Sequence, residues 1–172
     1  MNISLRFIET PLGKMLGCAT PNGVCLLEFD NRKNIDVQIH SLKKCLNADI
    51  VENDNPHLIQ LEQELSEYFS KTRKEFSVEL DMIGTDFQKQ VWNELLKIPY
   101  GKTISYIQEA TSMGKPESVR AVANANGMNK IAIVVPCHRV IGSDGTLTGY
   151  AGGLDRKRWL LDLESPDKKL FD

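Results

Sequence analysis

Between Ile3 and Ile8 apolar and polar residues alternate, the period of a strand with one buried face. Pro11-Leu12-Gly13 breaks the pattern, Met15–Thr20 resumes it, and Pro21-Asn22-Gly23 is a strong turn signal before Val24–Phe29. These segments predict a small antiparallel sheet. The period then lengthens, and Ile35, Ile39, Leu42 and Leu46 share one face of a helix over Ile35–Leu46. Asn55 suits the cap of a second helix with Pro56 at its first position. That helix runs to Phe69, with Leu58, Leu61, Leu65 and Phe69 on one side. Phe76–Leu80 is expected as a further strand.

The character changes around Asp81–Gly84, which predicts an N-terminal α+β domain over 1–81 and a second domain over 82–172. Thr85-Asp86-Phe87-Gln88 and Ser105-Tyr106-Ile107-Gln108 both have the spacing of a capping box, so a helix starts at each. The first buries Phe87, Val91, Leu95 and Ile98 and ends at Pro99-Tyr100-Gly101. The second reaches Ser112. Gly114 then turns the chain, Pro116 starts another helix and Gly127 ends it, the layout of a helix-turn-helix. Ile131–Val135 is a β-branched run expected as a buried strand or extended segment. Gly142–Gly153, with five glycines, is a loop. Leu154 to Glu164 is a last helix offering Leu154, Trp159, Leu160 and Leu163 for burial.

Composition narrows the class. At 172 residues and 41% hydrophobic, the chain can bury a core. Met1 to Lys14 holds no long apolar run, so no signal peptide is expected, and no apolar stretch nears the ~20 residues of a membrane span. None of the four cysteines forms a CxxC pair, so reduced thiols in the cytoplasm are expected. Net charge is −2 overall, but residues 1–81 carry 9 basic and 13 acidic residues against 12 and 10 in 82–172. The second half is the better candidate for meeting phosphates.

Cys137 stands apart from Cys18, Cys25 and Cys45. It ends an apolar run and sits between Pro136 and His138, and a thiol becomes a strong nucleophile only where a base or positive environment favours the thiolate. Pro136-Cys137-His138-Arg139-Val140, preceded by Asn129 and followed by Gly149-Tyr150-Ala151-Gly152-Gly153, resembles the O6-alkylguanine-DNA alkyltransferase family. The likeness extends through Gly84-Thr85-Asp86-Phe87-Gln88, Val91-Trp92, Ile98-Pro99-Tyr100-Gly101, Ser105-Tyr106 and Arg120-Ala121-Val122, and ends near Trp159-Leu160-Leu161 and Glu164. It spans residues 84–164 in order, whereas the first 80 residues match loosely, mainly at Thr10-Pro11-Leu12-Gly13. The form most resembled is the bacterial single-chain one.

That resemblance implies a ribonuclease-H-like sheet with helices in the first domain and a mostly helical, winged-helix-like second domain. It implies stoichiometric, irreversible transfer of an alkyl group, mainly methyl, from O6-alkylguanine in DNA to Cys137, with O4-alkylthymine left open as a second lesion. Activation runs from Glu164 through His138 and a bound water. Asn129 ties the helix-turn-helix to the reactive turn, and Tyr106 contacts the flipped nucleotide and neutralises the leaving guanine. Arg120 fills the space left in the duplex, because chemistry at a base edge requires extrusion. Ala121, Ala123, Ser105 and Arg139 are expected at DNA, and Tyr150, Ala151, Gly152 and Val140 around the substrate pocket. The partner is double-stranded DNA met through its minor groove by a monomer, with no cofactor, metal or membrane.

Two departures from the family pattern stand out. Ala151 replaces a serine that many members carry in the pocket loop, so a side-chain hydrogen bond to the base is lost. At positions matching the zinc site of some animal members stand Met1, Thr20, Cys25 and Ser70, of which only one could ligate. Three rivals remain: a lesion-binding module without chemistry, which would lack the acceptor cysteine; a cysteine hydrolase, which would need an oxyanion hole; and a helix-turn-helix regulator, which would read bases with long polar side chains.

Overall fold

The computed structural model describes residues 1–166, and the chain divides between Ile83 and Gly84 into two compact units. The last six residues of the expected second domain lie outside the described residues.

In the first unit, β1 (Asn2–Thr10), β2 (Gly13–Thr20) and β3 (Gly23–Phe29) form the antiparallel meander that the alternation predicts. A short fourth strand, β4 (Asp49–Glu52), pairs parallel with β1, giving the order β3-β2-β1-β4. α1 (Ile35–Leu46) sets Leu42 into a cluster with Ile3, Leu16, Cys18 and Leu26. α2 (Pro56–Phe69) begins at Asn55, whose side chain accepts the His57 N–H. It buries Leu58, Leu61, Leu65 and Tyr68. Phe69 is only half-buried, because the helical period returns to the core at 68.

Phe76–Leu80 does not form the expected strand; it makes one isolated parallel bridge, Leu80 to Val24. The cause is local. Glu64 on α2 accepts the backbone N–H groups of Ser77 and Val78, which removes the donors a ladder would need. The residues beyond still cover the edge of β3: Val24 N–H donates to Glu79 and Asp81 N–H to Val24.

The second unit carries α3 (Asp86–Leu95), β5 (Ile104–Ser105), α4 (Tyr106–Ser112), α5 (Val119–Gly127), β6 (Val140–Ile141) and α6 (Leu154–Glu164). Both capping boxes are formed, with Thr85 and Ser105 accepting from the third residue of their helices and Gln88 and Gln108 reaching back. Gly114, at φ +74°, turns the chain between α4 and α5. Pro116 opens a short 3-10 turn, Pro116–Ser118, rather than α5 itself. Trp92 donates its indole N–H to Ala125 O at 2.9 Å, fixing α5 on α3 in the interior.

Ile131–Val135 is buried as expected but is a turn, not a strand. Ile133 sits at φ +72°, unusual for a β-branched residue. Val134 N–H donates to Ala132 and Val135 N–H to Ile131. Asn129 satisfies the remainder, accepting from Ile131 N–H through Oδ1 and donating through Nδ2 to Val135 O. On α6 the buried face is Lys157, Leu160, Leu161 and Glu164, while Leu154 and Trp159 are exposed.

Candidate active site

The Ile131–Val135 turn delivers Cys137 onto a 3-10 turn, Cys137–Arg139, with Pro136 before it. Cys137 is half-buried. Asn129, itself buried, donates Nδ2 both to Val135 O at 2.8 Å and to the Cys137 Sγ at 3.3 Å. The residue that ends the helix-turn-helix therefore also holds the reactive turn.

The next two side chains of the turn point inward to α6. His138, fully buried, donates Nε2–H to Glu164 at 2.8 Å. Arg139 donates Nε and Nη2 to the same carboxylate at 2.8 and 3.0 Å, and Nη1 to Ile98 O at 2.7 Å. Tyr100 donates its hydroxyl to Leu163 O, and Gly101 N–H lies 3.5 Å from Glu164 Oε1. A Cβ on Gly101, at φ +78°, would stand 3.1 Å from Glu164 O. The Ile98–Gly101 turn is thus the far wall of the Glu164 site.

The charges follow from this packing. Burial would raise the Glu164 carboxyl, but the hydrogen bonds from His138 and Arg139 and the charge of Arg139 outweigh it and hold it well below the usual carboxylate range. Burial is also the main influence on His138 and lowers its pKa. Arg139 already neutralises Glu164, so a second positive charge would go uncompensated, and the imidazole stays neutral. With Nε2–H given to Glu164, Nδ1 is the ring's acceptor. It is buried and has no hydrogen-bond donor among the described residues.

Beside this centre lies a pocket of ≈ 530 Å³ that Cys137 helps to line. α5 contributes Arg120, Ala123 and Asn126, α4 contributes Tyr106, and the loop contributes Tyr150 and Ala151. Arg120 and Ala121 are exposed, but Ala121 does not line the pocket. Tyr106 donates its hydroxyl to Thr148 O at 2.9 Å. A larger groove of ≈ 1300 Å³ on the first unit is lined by no cysteine or histidine.

Several expectations need correction. Arg139 is spent on Glu164 and Ile98 and is 7% exposed, so its guanidinium is not presented to a phosphate. Ser105 is the cap of α4 and is buried. Val140 is fully buried and Gly152 lies off the pocket lining.

One residue was not anticipated. Lys157, fully buried, donates Nζ to Val140 O at 2.6 Å, Thr148 O at 2.8 Å and Gly149 O at 3.4 Å. Burial pulls it down to about 8, with the Cys137 charge acting the other way. It pins the pocket loop to the strand after the reactive turn. Its signal was present in the spacing: Lys157, Leu160, Leu161 and Glu164 form one helical stripe with ionisable groups at both ends.

The other thiols differ. Cys18 and Cys25 are buried in the first unit, and burial pushes Cys18 far above an ordinary thiol. Cys45 is exposed. Among the described residues no cluster of histidine, cysteine and carboxylate groups could hold a metal ion.

Comparison with known proteins agrees with this layout. Residues 3–82 match the family model described as 6-O-methylguanine DNA methyltransferase, ribonuclease-like domain, and residues 86–166 match its DNA binding domain. A methylated-DNA--protein-cysteine methyltransferase of Methanosarcina barkeri is 46% identical over 158 residues, covering 91% of this chain and 94% of that protein. The constitutive enzyme of that name from Bacillus subtilis is 39% identical, covering 91% and 92%. The crystal structure of Mycobacterium tuberculosis O6-methylguanine methyltransferase superposes with a TM-score of 0.81 at 41% identity, covering 99% of each chain. A structure of the M. tuberculosis protein in complex with DNA gives 0.80 at 40%, covering 95% and 96%.

Removing the positive charge beside Glu164 should destabilise the fold and recharge the histidine. Arg139→Met is expected to cost about 3–5 kcal/mol and to raise the His138 pKa, read by NMR titration of the ring. An unmoved His138 would show that Arg139 is not what keeps the imidazole neutral. Because the Glu164 pKa is depressed by folding, its stabilisation is present above the ordinary carboxylate pKa, about 4.3. It is lost as pH falls from there toward the folded value. Thermal unfolding below about pH 4.3 should therefore fall less steeply in Glu164→Gln than in wild type.

Proposed function

The chain belongs to the 6-O-methylguanine DNA methyltransferase family, and we propose that Cys137 is the residue on which it collects the alkyl group. The protein repairs O6-alkylguanine in DNA by direct transfer of that group. The observation that carries the assignment is the continuous link from Glu164 to the His138 ring, adjacent in sequence to a cysteine that lines a pocket.

In this reading the neutral His138 takes the thiol proton at Nδ1 through a water, and Glu164 steadies the charge that forms. The Cys137 thiolate attacks the alkyl carbon in line. The S–C bond forms as the C–O6 bond breaks, and guanine leaves as an anion that regains a proton. Tyr106, at the pocket wall, turns its hydroxyl from Thr148 O to the leaving base. The thioether is not reversed, so each molecule acts once.

Duplex DNA is met by the exposed edge of α5. Its Ala121, Ala123 and Asn124 keep side chains short where backbones must come close, which suits a minor-groove surface read without sequence preference. Arg120, exposed and at the pocket rim, enters the duplex and holds the nucleotide out. The protein works as a monomer without cofactor or metal. We place it in the cytoplasm, where a nucleophilic thiol stays reduced; none of the four cysteines is in a disulfide. No helix among the described residues is long and apolar enough to cross a membrane.

Mass spectrometry after incubation with excess O6-methylguanine DNA should find one alkyl group per protein, on Cys137. Cys137→Ala should bind the lesion but transfer nothing, and Glu164→Gln should fold yet react at least tenfold more slowly, about 1.4 kcal/mol of barrier. Sustained turnover, or label at Cys45, would sink the assignment. Arg120→Ala should slow repair of duplex DNA ~10–100-fold and leave reaction with free O6-benzylguanine near wild type. Equal losses on both substrates would mean damage to the pocket and not to nucleotide extrusion.

A further inference from the structure

Behind the pocket wall, α4 and α5 are joined by a buried polar contact in which Asn126 donates Nδ2 to Glu109 Oε1 at 2.7 Å. Glu109 is fully buried and Asn126 is 6% exposed. The remaining polar atom of each group, Glu109 Oε2 and Asn126 Oδ1, is also buried and has no hydrogen-bond partner among the described residues. Two such acceptors in the interior are costly if both stay unsatisfied. Among the described residues no cation compensates an ionised Glu109. On α3 the acid that bears on it is Glu94, which is paired with Lys97. The 3-10 turn before α5 contributes Glu117, and the charged residue of α5, Arg120, is exposed at the pocket.

We propose that Glu109 is held as a neutral acid that returns a hydrogen bond from Oε2 to Asn126 Oδ1, and that this closed acid–amide pair positions the end of α5 and, through it, the acceptor cysteine. One proton satisfies both orphaned oxygens, and a carboxylic acid and a primary amide are matched for it, each with one donor and one acceptor side by side. Burial also raises the Glu109 pKa, to about 7, so the acid form is within reach at neutral pH. The link onward is short. Asn126 O accepts the Asn129 N–H at 3.2 Å, and Asn129 holds the Cys137 Sγ and Val135 O. Glu109 is thus a positioning residue, two side chains removed from the thiol. The inference rests on the reading of Cys137 as the acceptor.

If Glu109 ionises, the returned hydrogen bond is lost and the amide is held from one side only. The test is the single-turnover rate on duplex O6-methylguanine DNA from about pH 6 to about pH 9, for wild type, Glu109→Gln and Glu109→Leu. Gln supplies the second donor permanently. It should match the wild type near pH 6 and outpace it by about tenfold at pH 8, as the acid fraction falls about tenfold per pH unit. Leu removes the pair and should be slow throughout. The rise in thiol reactivity with pH is common to all three and cancels in the ratios. A Gln-to-wild-type ratio that stays flat across the range would overturn the proposal.

A second measurement needs no variant. The Asn126 side-chain amide signals in wild-type protein should titrate near pH 7, and their failure to move would equally overturn it. Wild-type protein that never carries the alkyl group on Cys137 would instead defeat the acceptor assignment itself.

Discussion

A single carboxylate, Glu164, organises the reactive half of the molecule. It accepts hydrogen bonds from His138 and Arg139 in a buried site, and the Ile98–Gly101 turn packs around it. A buried negative charge is tolerable only when its partners are in place. The reactive turn, the end of α6 and that turn must therefore arrive together or not at all. Arg139 carries the charge balance, which frees His138 to stay neutral and fixes which ring nitrogen faces away. A residue that looked like a DNA contact is in fact the counter-ion of Glu164.

The cysteine is held from two further sides. Asn129 fixes the sulfur and the carbonyl two residues before it. Lys157 binds the carbonyl of Val140, beyond the turn, to those of Thr148 and Gly149 in the pocket loop. Tyr106 shares Thr148 with Lys157. The loop is rich in glycine but is pinned at the point where it meets the pocket, so its conformational freedom is spent away from the site. Tyr106, Arg120 and Ala151, which line the pocket, stand on elements fixed by others.

Much of this was legible because local rules and tertiary packing agree. The two capping boxes place the starts of α3 and α4 to the residue, and Asn55-Pro56 does the same for α2, whereas α3 stops at Leu95, short of the expected Ile98. The motif around Cys137 and the distant Glu164 were recognisable together. The failures have physical causes. At Phe76–Leu80 a side chain, Glu64, takes the backbone donors that a strand would use. At Ile131–Val135 the apolar run signals burial but not shape, and Asn129 bends it into a turn. β4 is too short to show a period. Arg139 was expected at DNA and Lys157 was not singled out, because sequence shows charge and not depth. Trp159 was counted as core on its type, whereas the stripe it belongs to faces outward.

The separation of Glu164 from the turn it serves, 26 residues beyond His138, has a consequence for the life of the chain. Synthesis proceeds from the N-terminus, so Cys137 and His138 leave the ribosome before the carboxylate that orients them. Until α6 has emerged and docked, the imidazole has no fixed tautomer and the cysteine is an ordinary thiol of a nascent polypeptide. A protein that can react only once gains from this order. Its one equivalent of reactivity is armed by the completion of folding and is not exposed to stray electrophiles while the chain is still being made.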